Sequence, residues 1–253
     1  MDLGLKGKWA LITGGSKGIG LAIAKVLAAE GCNLHLAART EADLETVRDE
    51  ITSGYGVEVE IHARNLAQPQ DLQALASACP DVDILINNAG AIPQGTLEHL
   101  DDATLRESWE LKLFGFINLT REIYPAMKKR GSGVIVNVIG GAAENPTSGY
   151  IAGAMANTAL ANFSKALGKE STFHGVRVVG IHPAMTRTER MDTIHRSLAE
   201  QTLGDPERWK EVIPKMPFER PTEPEEVANM VAFMASEKAS YTSGVVYSVS
   251  GGV

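Results

Sequence analysis

The chain has 253 residues, with 24 Lys or Arg against 31 Asp or Glu, and so a formal charge of −7. An acidic balance without a basic run removes the electrostatic basis for nucleic-acid binding. No stretch approaches the ~18 apolar residues of a membrane span. Met1–Lys6 lacks the apolar core of a secretory leader. Cys32 and Cys79 are too few for a disulfide framework and suit a reducing, cytoplasmic setting. The apolar share of 44% supports a sizeable core, so residues 1–253 are read as one domain.

In chain order, short apolar runs alternate with stretches of helical period. The run Trp9–Thr13 precedes a helix-period stretch at Ile19–Ala29, and Asn33–Ala38 precedes one at Ala42–Thr52. Val57–Ala63 leads to Asp71–Ala78, and Ile84–Asn87 to a long stretch at Asp102–Lys129. Val134–Ile139 precedes Ala152–Glu170, Val176–Ile181 precedes Glu223–Ala235, and Val245–Val249 closes the series. The short runs are β-branched and show little polar alternation, as strands covered on both faces do. Strand–helix alternation of this kind predicts right-handed crossovers and a seven-stranded parallel sheet with helices on both faces, an α/β fold. Between the sixth strand and the last helix lies a long segment, residues 184–221, with four prolines and scattered apolar side chains. Its length and composition suggest a lid over a ligand site.

The sharpest local signal is Thr13-Gly14-Gly15-Ser16-Lys17-Gly18-Ile19-Gly20, between the first strand and the first helix. Glycines there allow a tight turn and a close backbone approach to a pyrophosphate, which the helix N-terminus then faces. At the end of the second strand the chain reads Ala38-Arg39, where an acidic residue would bind the ribose hydroxyls of NAD. Arg39 offers a bidentate partner for a 2′-phosphate, with Lys17 as a second cation. The expected cofactor is NADP(H), in preference to NAD(H). The six histidines, His35, His62, His99, His174, His182 and His195, show no metal-ligand spacing, and no metal is expected.

The spacing Gly-x-x-x-Gly-x-Gly in a Thr-Gly start resembles the short-chain dehydrogenase/reductase family. Asn87-Asn88-Ala89-Gly90, Asn65-Leu66, Pro183-Ala184-Met185-Thr186-Arg187-Thr188 and Ser248-Val249-Ser250-Gly251-Gly252 resemble further motifs of that family. The resemblance implies a doubly wound Rossmann-like domain, assembled as a homotetramer or homodimer. It implies cofactor contacts from Gly14, Ser16, Lys17, Gly18, Ile19, Gly20, Arg39, Asn65, Leu66, Asn88, Ala89, Gly90, Pro183 and Thr188. It also implies hydride exchange between a nicotinamide and a small carbonyl or secondary alcohol.

The catalytic pattern departs from the family's. Its tyrosine is present as Tyr150, but the lysine four residues later is Ala154. The family serine falls on Gly140, and the asparagine of the central helix on Lys112. A phenol of pKa ~10 needs roughly 4 kcal/mol to titrate near neutrality. One cation about 5 Å away supplies roughly 3.3 kcal/mol at an effective dielectric near 20. Lys112 lies in the apolar stripe of Leu105, Trp109, Phe116 and Leu119, where a lysine kept only for solubility is out of place. The expected mechanism has Tyr150 as proton donor or acceptor and Lys112 as the charge that tunes it. The contrasting reading is a catalytically silent dinucleotide-binding subunit or sensor that partners an active homologue.

Overall fold

The computed structural model describes residues 1–252, with the side chain of residue 201 left aside. Seven parallel strands form one sheet: β1 (Trp9–Thr13), β2 (Asn33–Ala38), β3 (Val59–Ala63), β4 (Ile84–Asn87), β5 (Gly133–Val138), β6 (Val176–Pro183) and β7 (Val246–Val249). Their spatial order is β3-β2-β1-β4-β5-β6-β7. The order reverses between β1 and β4, which opens a crevice at the carboxyl ends of those strands, where ligands of such sheets bind.

The helices follow as α1 (Gly18–Ala29), α2 (Glu41–Tyr55), α3 (Pro69–Ala78), α4 (Asp102–Trp109), α5 (Gly115–Arg130), α6 (Ile151–Glu170), α7 (Glu189–Leu203) and α8 (Pro224–Ala235). Side chains of α1, α2 and α8, among them Ile23, Leu27, Leu44, Ile51 and Val231, pack on one face of the sheet. Leu72 and Leu75 of α3 and Leu119, Ile123 and Met127 of α5 cover the other. Phe116 joins Ala152, Ala156 and Leu160 of α6 in a third cluster on that side. Both faces are covered, which accounts for strands that read as continuous apolar runs.

Two elements differ from the sequence expectation. The helical stretch expected over 102–129 is interrupted by a π-helical turn, Glu110–Phe114, between α4 and α5. Such a turn inserts an extra residue and re-aims the side chains it carries, here Lys112 and Leu113, both buried. The segment 184–221 is largely ordered secondary structure: α7 is followed by 3₁₀ turns at Pro206–Val212 and Pro217–Glu219. Thr188 opens α7 by accepting a hydrogen bond from Met191 N–H, and Arg187 pairs with Glu223 at 2.9 Å.

Beneath the crevice runs a buried polar ladder. Asn87 Nδ2 donates to Thr120 Oγ1 (3.1 Å) and Asn137 Oδ1 (2.9 Å), and Asn137 Nδ2 donates to Ser164 Oγ (2.8 Å). These bonds tie β4, β5, α5 and α6 together and, with apolar packing, fix the floor of the site, although the buried Asn87 Oδ1 is left without a hydrogen-bond partner among the described residues.

Candidate active site

The glycine turn is held against β4 by one hydroxyl. Thr13 Oγ1 accepts from the backbone N–H groups of Asn88 (2.8 Å) and Ala89 (3.1 Å). Asn88 Nδ2 donates in turn to Thr13 O at 3.0 Å. A β-carbon at residue 20 would stand 2.1 Å from Gly14 O, so the first turn of α1 packs against the loop only with glycine there. Helix α1 starts with no side-chain cap and no acidic residue in its first turn. Its leading N–H groups are thus free to receive an anion, which fits the phosphates of a dinucleotide.

A groove beside this turn is lined by Gly14, Lys17, Gly18, Ile19, Asn88, Ala89, Gly90 and Thr188. The predicted motifs of β1–α1, β4 and the segment after β6 therefore do come together, with the Thr188 methyl against Gly18. Ser16 lies half-buried in the turn. Pro183 ends β6 and lines the neighbouring cavity. Asn65 and Leu66 follow β3; the Asn65 N–H bonds Asp71, and Leu66 is buried. Arg39 is exposed and has no hydrogen-bond or ion-pair partner among the described residues. Lys17 is engaged: its ammonium pairs with Asp43 of α2 at 3.0 Å, and that partner raises its pKa.

Adjoining the groove is a cavity of about 390 Å³. Tyr150, Lys112, Gly140, Asn157, Arg190 and His195 all line it, beside Ile139, Met185, Met191 and Ile194. Lys112 is only 8% exposed. Its Nζ donates to Val138 O at 2.8 Å and lies 4.5 Å from the Phe116 ring centroid. The side chain passes so close under Gly90 that a β-carbon there would meet its Cδ at 2.5 Å. Burial, with repulsion from Arg190 second, lowers its pKa to about 7. No carboxylate pairs with it among the described residues, so its charge is carried at a cost.

Tyr150 sits just before α6. Burial raises its phenol above the ordinary range, and the charge and hydrogen bonding of Arg190 pull the other way. Arg190 is thus the cation that favours ionisation of this phenol, while the Lys112 ammonium is bonded to Val138 O. Arg190 also donates to Ile92 O at 2.6 Å, tying the start of α7 to the loop after β4. The signal in the sequence is slight: an arginine two residues past Thr188.

At the family serine position the structure disfavours a side chain. Gly140 has φ +141°, and a β-carbon there would stand 2.7 Å from Asn157 Nδ2. The Asn157 amide fills that place, and its buried Oδ1 has no hydrogen-bond partner. His195 of α7, 2% exposed, likewise has an Nδ1 without a hydrogen-bond partner. Both residues line the cavity, and buried polar atoms without partners are uncommon in folded proteins. Ser148, two residues before Tyr150, is exposed.

Comparison with known proteins agrees with this geometry. Residues 8–199 match the short chain dehydrogenase family. An uncharacterised oxidoreductase of Bacillus subtilis is 33% identical over 247 residues, covering 97% of this chain and 98% of its own. The 3-oxoacyl-acyl-carrier-protein reductase of Vibrio cholerae is 30% identical over 256 residues, covering 99% of each chain. Among solved structures, L-sorbose reductase from Gluconobacter frateurii with NADPH and L-sorbose superposes with a TM-score of 0.92 at 33% identity, covering 99% of this chain and 98% of its own. The chain belongs to the short-chain dehydrogenase family. It is an oxidoreductase of that family, built to hold a nicotinamide dinucleotide and a small-molecule substrate. No helix among the described residues is long and apolar enough to cross a membrane.

Proposed function

We propose that the protein is an NADP(H)-dependent reductase that interconverts a carbonyl and a secondary alcohol, with Tyr150 as proton donor and acceptor. The observation that carries this reading is the meeting of Tyr150, Lys112, Arg190 and Asn157 around one cavity beside the glycine turn. Gly14, Gly18, Asn88 and Thr188 would hold the dinucleotide, whose reduced nicotinamide would supply the hydride for the carbonyl carbon. Tyr150 gives its phenolic proton to the carbonyl oxygen, and in the reverse direction takes it back. Arg190 and Lys112 supply the positive charge that stabilises the developing oxyanion, in place of the absent lysine. Asn157 Nδ2 takes over the oxygen contact of the absent serine hydroxyl. Because its phenol is raised by burial, Tyr150 stays protonated through neutral pH, the form a reductase needs.

Preference for NADP(H) rests on Arg39, exposed just past β2 and unpaired among the described residues, with Lys17 joining it on release from Asp43. The NADPH in the sorbose reductase structure supports that choice; the 7α-hydroxysteroid dehydrogenase structure, 29% identical, holds NADH. The segment 184–221 serves as the lid, with Arg190 as its latch, and its Met185, Met191 and Ile194 favour a medium-sized apolar or aromatic substrate. Assembly is as a homodimer or homotetramer, for which light scattering is the check. The relatives, oxidoreductases and reductases by name, side with catalysis over a silent subunit.

The deciding experiment follows NADPH consumption across a carbonyl panel with wild type and Tyr150→Phe. The proposal expects turnover that Tyr150→Phe abolishes; equal activity in the two would remove Tyr150 from the chemistry. Parallel fluorescence titrations should show NADPH bound more tightly than NADH, and the reverse order would refute the role of Arg39.

A further inference from the structure

Away from the catalytic crevice, the opposite edge of the sheet gathers three side chains of metal-binding chemistry. The parallel register of β2 and β3 pairs His35 with Glu60 and Ala37 with His62. His35, Glu60 and His62 therefore project from the same face of the sheet. Cys79, the residue that ends α3, drops onto that face. His35 Nδ1 lies 3.1 Å from His62 Nε2, and Cys79 Sγ lies 3.7 Å from the same Nε2. All three ligand atoms fall within 4.8 Å of one another. Glu60 Oε2 lies 3.4 Å from His35 Nδ1. Tetrahedral zinc with Zn–N of ~2.1 Å and Zn–S of ~2.3 Å sets its ligand atoms roughly 3.3–3.7 Å apart. The spacings found here bracket that range before any ion is considered.

We propose that His35, His62 and Cys79, with the Glu60 carboxylate as fourth ligand, form a tetrahedral site for a thiophilic divalent cation of the zinc class. Two imidazoles and a thiol select such an ion over magnesium or calcium, which prefer oxygen. His35 and Cys79 are buried, whereas the Glu60 side chain is 58% exposed and leaves a path for entry. Trp9 stacks on the His35 ring at 4.5 Å and fixes its plane, a supporting contact of the kind that orients ligating histidines. On binding, the Cys79 S–H bond breaks, its proton goes to solvent, and the sulfur pair forms the metal bond; nothing is oxidised or reduced. The ion clamps the edge strands β2 and β3 to the end of α3, below the strand ends that carry Arg39 and Asn65. Four protein ligands leave no open coordination position, and the site lies apart from Tyr150, so its role is structural and independent of the proposed reduction. The ligands come from three elements 27 and 17 residues apart, which is why no local spacing announces them.

The test titrates metal-stripped full-length protein with Co²⁺ and then Zn²⁺. One equivalent of Co²⁺ should give tetrahedral d–d bands and a thiolate charge-transfer band, both displaced by Zn²⁺. Cys79→Ser should lose the charge-transfer band, His62→Gln should weaken binding at least ~10-fold, and Cys32→Ser should leave both unchanged. Free Zn²⁺ at 100 times its Kd should raise the melting temperature of wild type by roughly 5–10 °C. A cobalt spectrum without the charge-transfer band, or one that survives Cys79→Ser, would overturn the site. If Cys79→Ser fails to fold, the same spectra on His62→Gln decide, because unchanged affinity there also excludes the site.

Discussion

The two halves of the crevice obey different constraints. On the β1–α1 side, backbone geometry does the binding: Thr13 staples the glycine turn to β4, and residue 20 admits no side chain. On the β5–α6 side, the proposed chemistry falls to side chains, and three family positions carry other residues: Lys112, Gly140 and Ala154. A backbone cradle tolerates little substitution, since its donors and close approaches have no substitute. A charge or a hydrogen-bond donor can be supplied from any element that reaches the same point. In the proposed reaction the cations come from the π-helical turn and from α7, and an amide from within α6 stands against Gly140.

That contrast is open to attack on both sides. The largest effect should come from Tyr150→Phe, which is expected to lower kcat for carbonyl reduction by about 10²–10⁴-fold with NADPH affinity unchanged. On the cradle side, Gly20→Val should weaken NADPH binding by about 100-fold in fluorescence titration, because the new side chain meets Gly14 O. If Gly20→Val binds NADPH normally, the backbone account of that half fails.

Lys112→Met should separate stability from function. The folded-state pKa of Lys112 is about 7, below the 10.5 of the free side chain. Between those values the unfolded chain binds the extra proton, so wild-type stability from this group rises with pH over that window. Its burial penalty is fully present below pH 7. Lys112→Met should therefore melt about 5 °C higher than wild type at pH 6, while losing roughly 10-fold or more in turnover. A variant less stable than wild type at pH 6 would contradict the buried-charge reading.

Smaller changes follow at the periphery. Gly140→Ser restores the family hydroxyl but places a β-carbon against Asn157, so activity should fall, by about 10-fold, in a coupled NADPH assay. Asp43→Asn releases Lys17 from its surface pair and should tighten NADPH, but not NADH, by about 2–5-fold.

Much of the scaffold was readable from sequence because the inner strands are buried on both faces. Trp9–Thr13, Asn33–Ala38 and Ile84–Asn87 are strands over the predicted bounds. The π-helical turn was not readable, since Glu110–Phe114 keeps helical composition and the inserted residue leaves no compositional mark. Tyr150, the glycine turn and the buried place of Lys112 were legible through motif and periodicity. Arg190 was not: its importance depends on how α7 docks across the crevice to Ile92. The His35–His62–Cys79 cluster was hidden for a related reason, being a product of strand register.

The most direct test of a relocated cation is the pH dependence of kcat/KM for carbonyl reduction in wild type and Lys112→Met. The account predicts a wild-type profile that falls as the Lys112 ammonium loses its proton at or above pH 7, and the loss of that limb in Lys112→Met. Superimposable profiles with equal rates would show that the buried amine takes no part in the chemistry.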